Sequence, residues 1–200
     1  MKKLYIIGDG GFGNEIFGWR SDFKESFSNI EILDDNSSKL SSIQSIKDQN
    51  DPFNFVIAIG DNKVREKIYE NVKSFNASDC LNFFIGQSYL GANIKFGLNN
   101  LIMHNSSIGQ NSIIGDNNHI HGQTAIGHDV AIGNNNSIGS QAFIGGGVKI
   151  GNSVTIYPGS TIAPKIKIED GATIGIGSVV IRNVKANKTV FGNPAKTIKS

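Results

Sequence analysis

From residue 90 onward the chain repeats one hydrophobic position every six residues. Isoleucine fills this position without a break from Ile102 to Ile174, Leu90 and Phe96 extend the series backwards, and Val180 extends it forwards. Glycine commonly follows the repeated residue. A period of six fits neither the α-helical period of 3.6 nor the strand period of 2, so the pattern predicts a solenoid built from a short fixed repeat.

Hexads of this form resemble the left-handed parallel β-helix, in which three hexads make one triangular coil. The aliphatic residue points inward on each face, and glycine or asparagine occupies the tight corners, where positive φ costs these residues little. Residues 18 apart then lie directly above one another. Residues 90–180 predict about five coils, each about 4.8 Å above the last.

The first 85 residues follow a different pattern, in which short apolar runs alternate with helical ones. Strands are predicted at "KLYIIG", "IEILDD" and "FNFVIAIG", and helices at "GGFGNEIFGWRSDF" and "DNKVREKIYENVKSF", the second with Asp61 as its N-cap. The alternation predicts an α/β domain at 1–85, a small Rossmann-like parallel sheet of one mononucleotide-binding half, followed by the β-helix at 86–200.

Composition narrows the functional classes. A net charge of +2 gives no reason to expect nucleic acid or a membrane surface as partner. Cys80 is the only cysteine, which favours a reducing cytoplasm, and it precedes the repeats, which argues against an acyl-cysteine intermediate. The apolar run after the first lysines is too short for a signal peptide, and no later stretch is long enough to span a bilayer. We therefore expect a soluble, cytoplasmic protein.

One histidine stands out within the repeats, in "IGHDVAIG". The 18-residue step places His128 above Gln110 and below Gly146, the centre of "IGGGVKIG". An imidazole next to an unobstructed peptide N–H supplies a general base and an oxyanion donor, which are the requirements of acyl transfer. Asp129 is expected to point to the opposite face, or to reach around a corner and orient the ring.

Six stretches together resemble hexapeptide-repeat sugar acetyltransferases of the NeuD/PglD type, over nearly the whole chain. They are "YIIGDGGFGNEI", "ILDD", "IGDNKVREKI", "IGHDVAIG", "GGGVKIG" and "FGNPAK". The resemblance implies acetyl-CoA as co-substrate, a nucleotide-linked amino sugar as acceptor, a homotrimer, and a role in bacterial surface-glycan biosynthesis such as lipopolysaccharide O-antigen.

The resemblance also implies site residues. The catalytic base falls on His128, its acidic neighbour on Asp129, and the thioester-facing amide on Gly146. Acetyl-CoA is expected in a groove between solenoids; its predicted contacts are Ser137, Gly145, Gly146, Ala163, Lys165 and, for its phosphates, Lys196. Ser137 stands where one family member has a second histidine against the cofactor. His121 stands where an asparagine or small residue is expected near the acceptor.

The glycine cluster after the first strand is a candidate phosphate-binding turn, since it opens a helix whose N–H groups point outward. The two aspartates that end the second strand could meet a ribose or base. Both features could equally be ordinary turns. With the family context we expect them to bind a nucleotide sugar, through Gly8, Gly10, Gly11, Gly13, Asp34 and Asp35.

The other histidines allow a metal interpretation, because γ-carbonic-anhydrase solenoids bind zinc between subunits. The spacing typical of that family is absent, so no metal is expected. His119 and His121 share a strand face and are predicted to line the acceptor pocket, or else to face water. Trp19, on the first helix, is predicted to be core.

The leading functional hypothesis is an acetyl-CoA-dependent N-acetyltransferase acting on a UDP- or dTDP-linked 4-amino sugar. A sugar O-acetyltransferase of the sialic-acid type uses the same groups and stays open. A hypothesis of another class is a non-catalytic trimeric scaffold that binds a nucleotide sugar.

Overall fold

The computed structural model describes residues 2–23, 26–75 and 80–198 of the chain. Packing divides the chain into two compact units, Met1–Leu81 and Asn82–Ser200. The sequence pattern predicts a boundary near residue 85; Phe83 already pairs in parallel with Leu101 of the second unit. Within the described ranges, no helix combines the length and apolar character needed to cross a membrane.

The first unit is the predicted small parallel sheet, with strand order β2-β1-β3. Its elements are β1 (Lys2–Ile7), α1 (Gly11–Gly18), a 3-10 helix (Arg20–Phe23), β2 (Phe27–Leu33), a second 3-10 helix (Ile43–Ile46), β3 (Phe53–Ile57) and α2 (Asn62–Lys73). All five residues of β3 are buried, including the polar Asn54 that interrupts its apolar run. Asp61 caps α2 by accepting the Val64 N–H at 2.9 Å, which confirms the predicted N-cap.

The first helix is shorter than predicted, and this changes the position of Trp19. Helix α1 ends at Gly18, and its buried residues are Gly13 and Ile16. Trp19 follows as the C-cap and is 37% exposed. The prediction that Trp19 belongs to the core is therefore wrong, because the residue lies beyond the buried face of the helix.

The second unit is the predicted parallel β-helix, with a two-residue strand every six residues from residue 83 to residue 180, followed by two further strands. In chain order they are β4 (Phe83–Phe84), β5 (Tyr89–Leu90), β6 (Lys95–Phe96), β7 (Leu101–Ile102), β8 (Ser107–Ile108), β9 (Ile113–Ile114), β10 (His119–Ile120), β11 (Ala125–Ile126), β12 (Ala131–Ile132), β13 (Ser137–Ile138), β14 (Phe143–Ile144), β15 (Lys149–Ile150), β16 (Thr155–Ile156), β17 (Thr161–Ile162), β18 (Lys167–Ile168), β19 (Thr173–Ile174), β20 (Val179–Val180), β21 (Thr189–Phe191) and β22 (Lys196–Thr197).

These strands form three faces of a triangular prism. Face 1 runs β4-β7-β10-β13-β16-β19-β21 and is closed by the antiparallel β22; face 2 runs β5-β8-β11-β14-β17-β20; face 3 runs β6-β9-β12-β15-β18. Each turn adds one strand to each face, and face 2 holds six strands. The solenoid therefore has about six turns, one more than the sequence predicts. The repeated isoleucines, at every sixth position from Ile102 to Ile174, are at most 4% exposed and form the dry interior.

Asparagine ladders reinforce one corner of the prism. Asn118 is fully buried; its backbone N–H and its side-chain amide both donate to Oδ1 of Asn100, at 2.9 and 3.0 Å. Asn136 repeats the pattern toward Asn118 one coil later. Each side chain thus satisfies buried backbone groups where the strands turn, which holds the coils in register.

Candidate active site

The candidate site lies at the corner that joins face 2 to face 3, which we call the His128 corner. Its residues on three successive coils are 127–130, 145–148 and 163–166. Ala125 pairs with Phe143 before the corner, and Ala131 pairs with Lys149 after it. The step from coil to coil is therefore 18 residues, and His128 is stacked on Gly146 as the sequence predicts.

The imidazole of His128 lies against the backbone of Gly146. A β-carbon built on Gly146 would be 2.7 Å from Nε2 of His128, closer than real β-carbons approach other atoms. Only a hydrogen fits in that space. The imidazole nevertheless remains accessible to a ligand, because the His128 side chain is 66% exposed.

Asp129 contacts the other nitrogen of the ring. Its Oδ2 lies 2.6 Å from Nδ1 of His128. Asp129 has φ 55° and lies at the corner, not within a strand, so its side chain turns back to the ring. The expectation of an opposite-facing side chain is wrong, and the alternative of reaching around the corner is the one observed.

Hydrogen bonds keep Asp129 ionised. The contact with His128 and the Asn111 side-chain amide, 3.2 Å from Oδ1, hold the pKa of the Asp129 carboxyl below its ordinary value. A carboxylate at this position favours the tautomer that carries its hydrogen on Nδ1, because Oδ2 can only accept. The Nε2 lone pair, next to Gly146, is then free to accept a proton.

The peptide N–H of Gly146 differs from those on either side. Gly145 N–H donates to the Ile162 carbonyl and Gly147 N–H to the His128 carbonyl, both at 2.9 Å. The Gly146 N–H donates to no group within the described part of the chain. The corner therefore presents one available backbone donor beside one available ring nitrogen, the pair that a tetrahedral intermediate requires.

The predicted cofactor residues fall into two places. Gly145, Ala163 and Lys165 lie at the His128 corner, and Lys165 is exposed with φ 62°. Ser137 and Lys196 lie instead on β13 and β22 of face 1. A single solenoid does not bring these two groups together.

Two lysines that sequence reasoning missed lie beside the His128 corner. Lys149 and Lys167 open β15 and β18 and pair in register on face 3, where they line an open cleft of about 380 Å³. Glu169 shares the cleft; its carboxylate is 3.8 Å from Lys167 and 3.3 Å from Lys185. The Ala186 N–H and Lys185 lower the pKa of Glu169. The 18-residue spacing of the two lysines was the available signal.

His119 and His121 lie on face 1, next to Ser137. His119 pairs in register with Ser137, and the two imidazoles meet edge to face with centroids 6.2 Å apart. His119 is only 2% exposed, which contradicts the alternative that it faces water. Their role against an acceptor stays a prediction. Across the described ranges, no three histidine, cysteine or acidic side chains are grouped as a metal site would require.

The glycines of the turn after β1 differ in the space around them. A β-carbon on Gly13 would overlap the carbonyl oxygen of Gly8, so the missing side chain of Gly13 serves packing within the chain. Gly8 has φ 111°. At Gly10 and Gly11, no described residue beyond the local backbone comes within 4 Å of the β-carbon position, which leaves open space at the start of α1.

The two aspartates after β2 also differ. Asp34 uses both oxygens within the protein, accepting the Asp9 N–H at 2.9 Å and the Asn36 N–H at 2.8 Å; these bonds lower the pKa of its carboxyl. Asp35 accepts from Ser42 and from the Ile43 N–H through Oδ1 alone. Both aspartates line a cavity of about 100 Å³ with Gly8 and Ile59. Among the described residues, Oδ2 of Asp35 accepts no hydrogen bond.

Sequence families match both units. The PglD N-terminal domain matches residues 3–72, and the bacterial transferase hexapeptide (six repeats) matches residues 111–146 and 147–182. The chain therefore contains a PglD-type N-terminal domain followed by hexapeptide repeats. This confirms the resemblance inferred from the six sequence stretches. The comparison with curated protein sequences gives no significant match.

Solved structures share this PglD-type architecture along the full chain. The acetyltransferase domain of PglB from Neisseria gonorrhoeae FA1090 is 22% identical, with 99% of this chain and 100% of that one covered and a TM-score of 0.90. PerB from Caulobacter crescentus, solved with CoA and GDP-perosamine, is 21% identical, with 100% and 98% covered and a TM-score of 0.91. WeeI from Acinetobacter baumannii AYE is 21% identical, with 99% and 100% covered and a TM-score of 0.76. At sequence identities this low, the structural similarity establishes the shared fold alone.

Proposed function

We propose that this protein is an acetyl-CoA-dependent N-acetyltransferase whose acceptor is a nucleotide-linked amino sugar. One observation carries the proposal: the available Nε2 of His128 lies beside the available N–H of Gly146. The similar structures support it, since one is the acetyltransferase domain of PglB and another, PerB, was solved with CoA and GDP-perosamine.

The reaction needs one base and one oxyanion donor. The neutral sugar amine attacks the thioester carbonyl carbon, and the amine proton passes to Nε2 of His128 as the C–N bond forms. The carbonyl oxygen becomes an oxyanion that accepts the Gly146 N–H. The C–S bond then breaks, the amide is released, and the CoA thiolate takes the proton from the imidazolium. Asp129 holds the ring and stabilises its cationic form.

Charges near the His128 corner support a phosphate-bearing cofactor. Lys165 lies at the His128 corner, one coil above Gly146. Lys149 and Lys167 lie at the start of face 3, on the first and second coils above His128. A thioester placed at Gly146 would extend its pantetheine arm along these coils, and the lysines would neutralise the phosphates. No metal takes part in the reaction as proposed.

The site is completed in this proposal by a second copy of the chain. Ser137 and His121 lie on face 1, away from the His128 corner of the same solenoid. In a threefold ring of prisms, face 1 of one copy would meet the His128 corner of the next and form a groove. A homotrimer would thus combine both groups of predicted residues.

The first unit would hold the nucleotide. Gly10 and Gly11 leave open backbone at the start of α1 for the diphosphate, and Asp35 Oδ2 offers an acceptor to an N–H or hydroxyl of the nucleoside. This assignment predicts that nucleoside diphosphates without an attached sugar compete with the nucleotide-sugar substrate.

Thiol release from acetyl-CoA tests the proposal. The protein is incubated with acetyl-CoA and a panel of UDP-, dTDP- and GDP-linked amino sugars, with the matching hydroxyl sugars and free sialic acids as controls. We expect turnover with at least one nucleotide-linked amino sugar and none with its hydroxyl counterpart. Turnover with free sialic acids alone would replace the proposal by O-acetylation. Binding without turnover of any acceptor would favour the non-catalytic scaffold.

A further inference from the structure

A buried arginine supports the loop that follows β3. Arg65, on α2, is 0% exposed. Its Nη1 donates to the carbonyl oxygen of Ile59 at 3.1 Å and lies 3.5 Å from that of Gly60. Its Nη2 donates to Oδ1 of Asn62 at 3.0 Å. The guanidinium therefore ties the last residues of the loop to the first turn of the helix.

Burying a cation in this way is uncommon and costs desolvation energy, so the contacts that it makes have to compensate. Burial lowers the pKa of Arg65 to about 10, while Asp61 and Glu66 act to raise it. Arg65 stays charged at neutral pH, and its hydrogen bonds to the two carbonyls are charge-assisted.

The loop held by Arg65 borders the crevice of the parallel sheet. Because β2 and β3 lie on opposite sides of β1, the strand order reverses at β1. Ligands of such parallel sheets bind at this switch point, beyond the carboxyl ends of the strands. A β-carbon on Gly8 would lie 3.0 Å from the Ala58 carbonyl and 3.1 Å from Cγ1 of Ile59. The loops after β1 and β3 are thus in contact.

Ile59 also forms a wall of the cavity that contains Asp34 and Asp35. The carbonyl of Ile59 accepts a hydrogen bond from the guanidinium of Arg65, which is not among the residues that line the cavity. A shift of the Ile59–Gly60 backbone would move this wall relative to Gly8, where the glycine turn begins. The geometry of the crevice therefore depends on a side chain that does not face it.

We propose that Arg65 is a positioning residue for the nucleotide sugar, fixing the Ile59–Gly60 segment against the glycine turn without touching the ligand. This inference rests on the proposed function, because it assigns the crevice of the first unit to the nucleotide. Arginine suits the task because its planar fork reaches the Ile59 carbonyl and the Asn62 amide oxygen at once, and the single ammonium of lysine cannot reproduce both contacts.

Steady-state kinetics of Arg65→Lys and Arg65→Met test this inference. Lys67→Met is the matched control, since Lys67 is an exposed cation on the same helix. We expect the KM for the nucleotide sugar to rise at least about tenfold in Arg65→Met and less in Arg65→Lys, with kcat and the KM for acetyl-CoA within about twofold of the wild type. Lys67→Met should match the wild type. Calorimetric titration with UDP, dTDP and GDP should show the same loss of affinity.

An unchanged KM for the nucleotide sugar in a folded Arg65→Met protein would overturn the inference. A fall in kcat together with similar rises in both KM values would also overturn it, because it would indicate general damage to the protein. If Arg65→Met does not fold, Asn62→Ala removes one partner of the fork and should raise the nucleotide-sugar KM by a smaller factor; no rise would again contradict the inference. A wild-type protein that neither binds a nucleotide nor releases CoA would instead overturn the proposed function.

Discussion

Nε2 of His128 lies 2.7 Å from the point where a β-carbon of Gly146 would be placed. This contact gives a direct test, because Gly146→Ala keeps the peptide N–H and adds a methyl group where the ring stands. The imidazole must turn away and lose its contact with Asp129. We expect kcat/KM to fall about 100-fold, with little change in thermal stability because the displaced ring is exposed.

A double-mutant cycle separates this effect from damage to the backbone. In a His128→Ala background the methyl group of Gly146→Ala has no ring to displace, so the second substitution should add little to the loss. Full additivity of the two losses would contradict the proposed contact between ring and amide.

The pH dependence of Asp129 follows from its lowered pKa. A carboxyl whose pKa is lower in the folded protein stabilises it above the unfolded pKa, near 3.9, and loses that contribution as pH falls through the folded value. The difference in Tm between the wild type and Asp129→Asn should therefore shrink between pH 5 and pH 3. A difference that grows over this range would contradict the assignment.

Activity should depend on the charge of Asp129 more strongly than stability does. Asp129→Asn retains the shape but removes the negative charge that stabilises the imidazolium, and we expect kcat to fall about 100-fold. Asn111→Ala is the matched control: it removes a donor to Asp129 but leaves the charge. Its kcat should stay within a few-fold of the wild type.

Much of this site is encoded in the spacing of the sequence. The hexad fixes the 18-residue step, and that step alone stacks His128 on Gly146. The contact between Asp129 and the ring depends on a positive φ at the corner, which strand alternation does not predict. Lys149 and Lys167 were predictable from the same step. Trp19 was misplaced because the end of an eight-residue helix decides its exposure.

The two aspartates after β2 should respond differently to amidation. In Asp35→Asn the carboxamide oxygen can still accept from Ser42 and Ile43, while the amide nitrogen replaces Oδ2 and presents donors to a ligand. We expect the nucleotide-sugar KM to rise at least about tenfold without loss of stability.

Asp34→Asn replaces one of two acceptors that backbone N–H groups already use. It should lower the free energy of unfolding by about 1 kcal/mol. Thermal unfolding and steady-state kinetics are measured for Asp34→Asn and for Asp35→Asn. If the two variants have the same stability and the same KM for the nucleotide sugar, Asp35 is not the ligand-facing residue.

The buried asparagine ladder should contribute to stability without affecting chemistry. Asn118→Ala leaves the Asn136 backbone N–H and the Gly133 carbonyl without this partner, and we expect a loss of about 2–3 kcal/mol in the free energy of unfolding. Asn134 is exposed and accepts the Asp116 N–H through Oδ1, so Asn134→Ala should cost less than about 1 kcal/mol. Denaturant unfolding measures both, and equal losses would contradict the role assigned to burial.

The most direct test of the proposed chemistry is the rate at which His128→Ala releases CoA from acetyl-CoA in the presence of an accepted nucleotide-linked amino sugar. The rate is compared with that of the wild type and with that of Gln110→Ala, because Gln110 is an exposed residue one coil below His128. We expect kcat to fall about 10²–10⁴-fold in His128→Ala, with unchanged affinity for the nucleotide sugar, and Gln110→Ala to retain wild-type turnover. A His128→Ala protein that turns over at the wild-type rate would show that acetyl transfer does not use this imidazole.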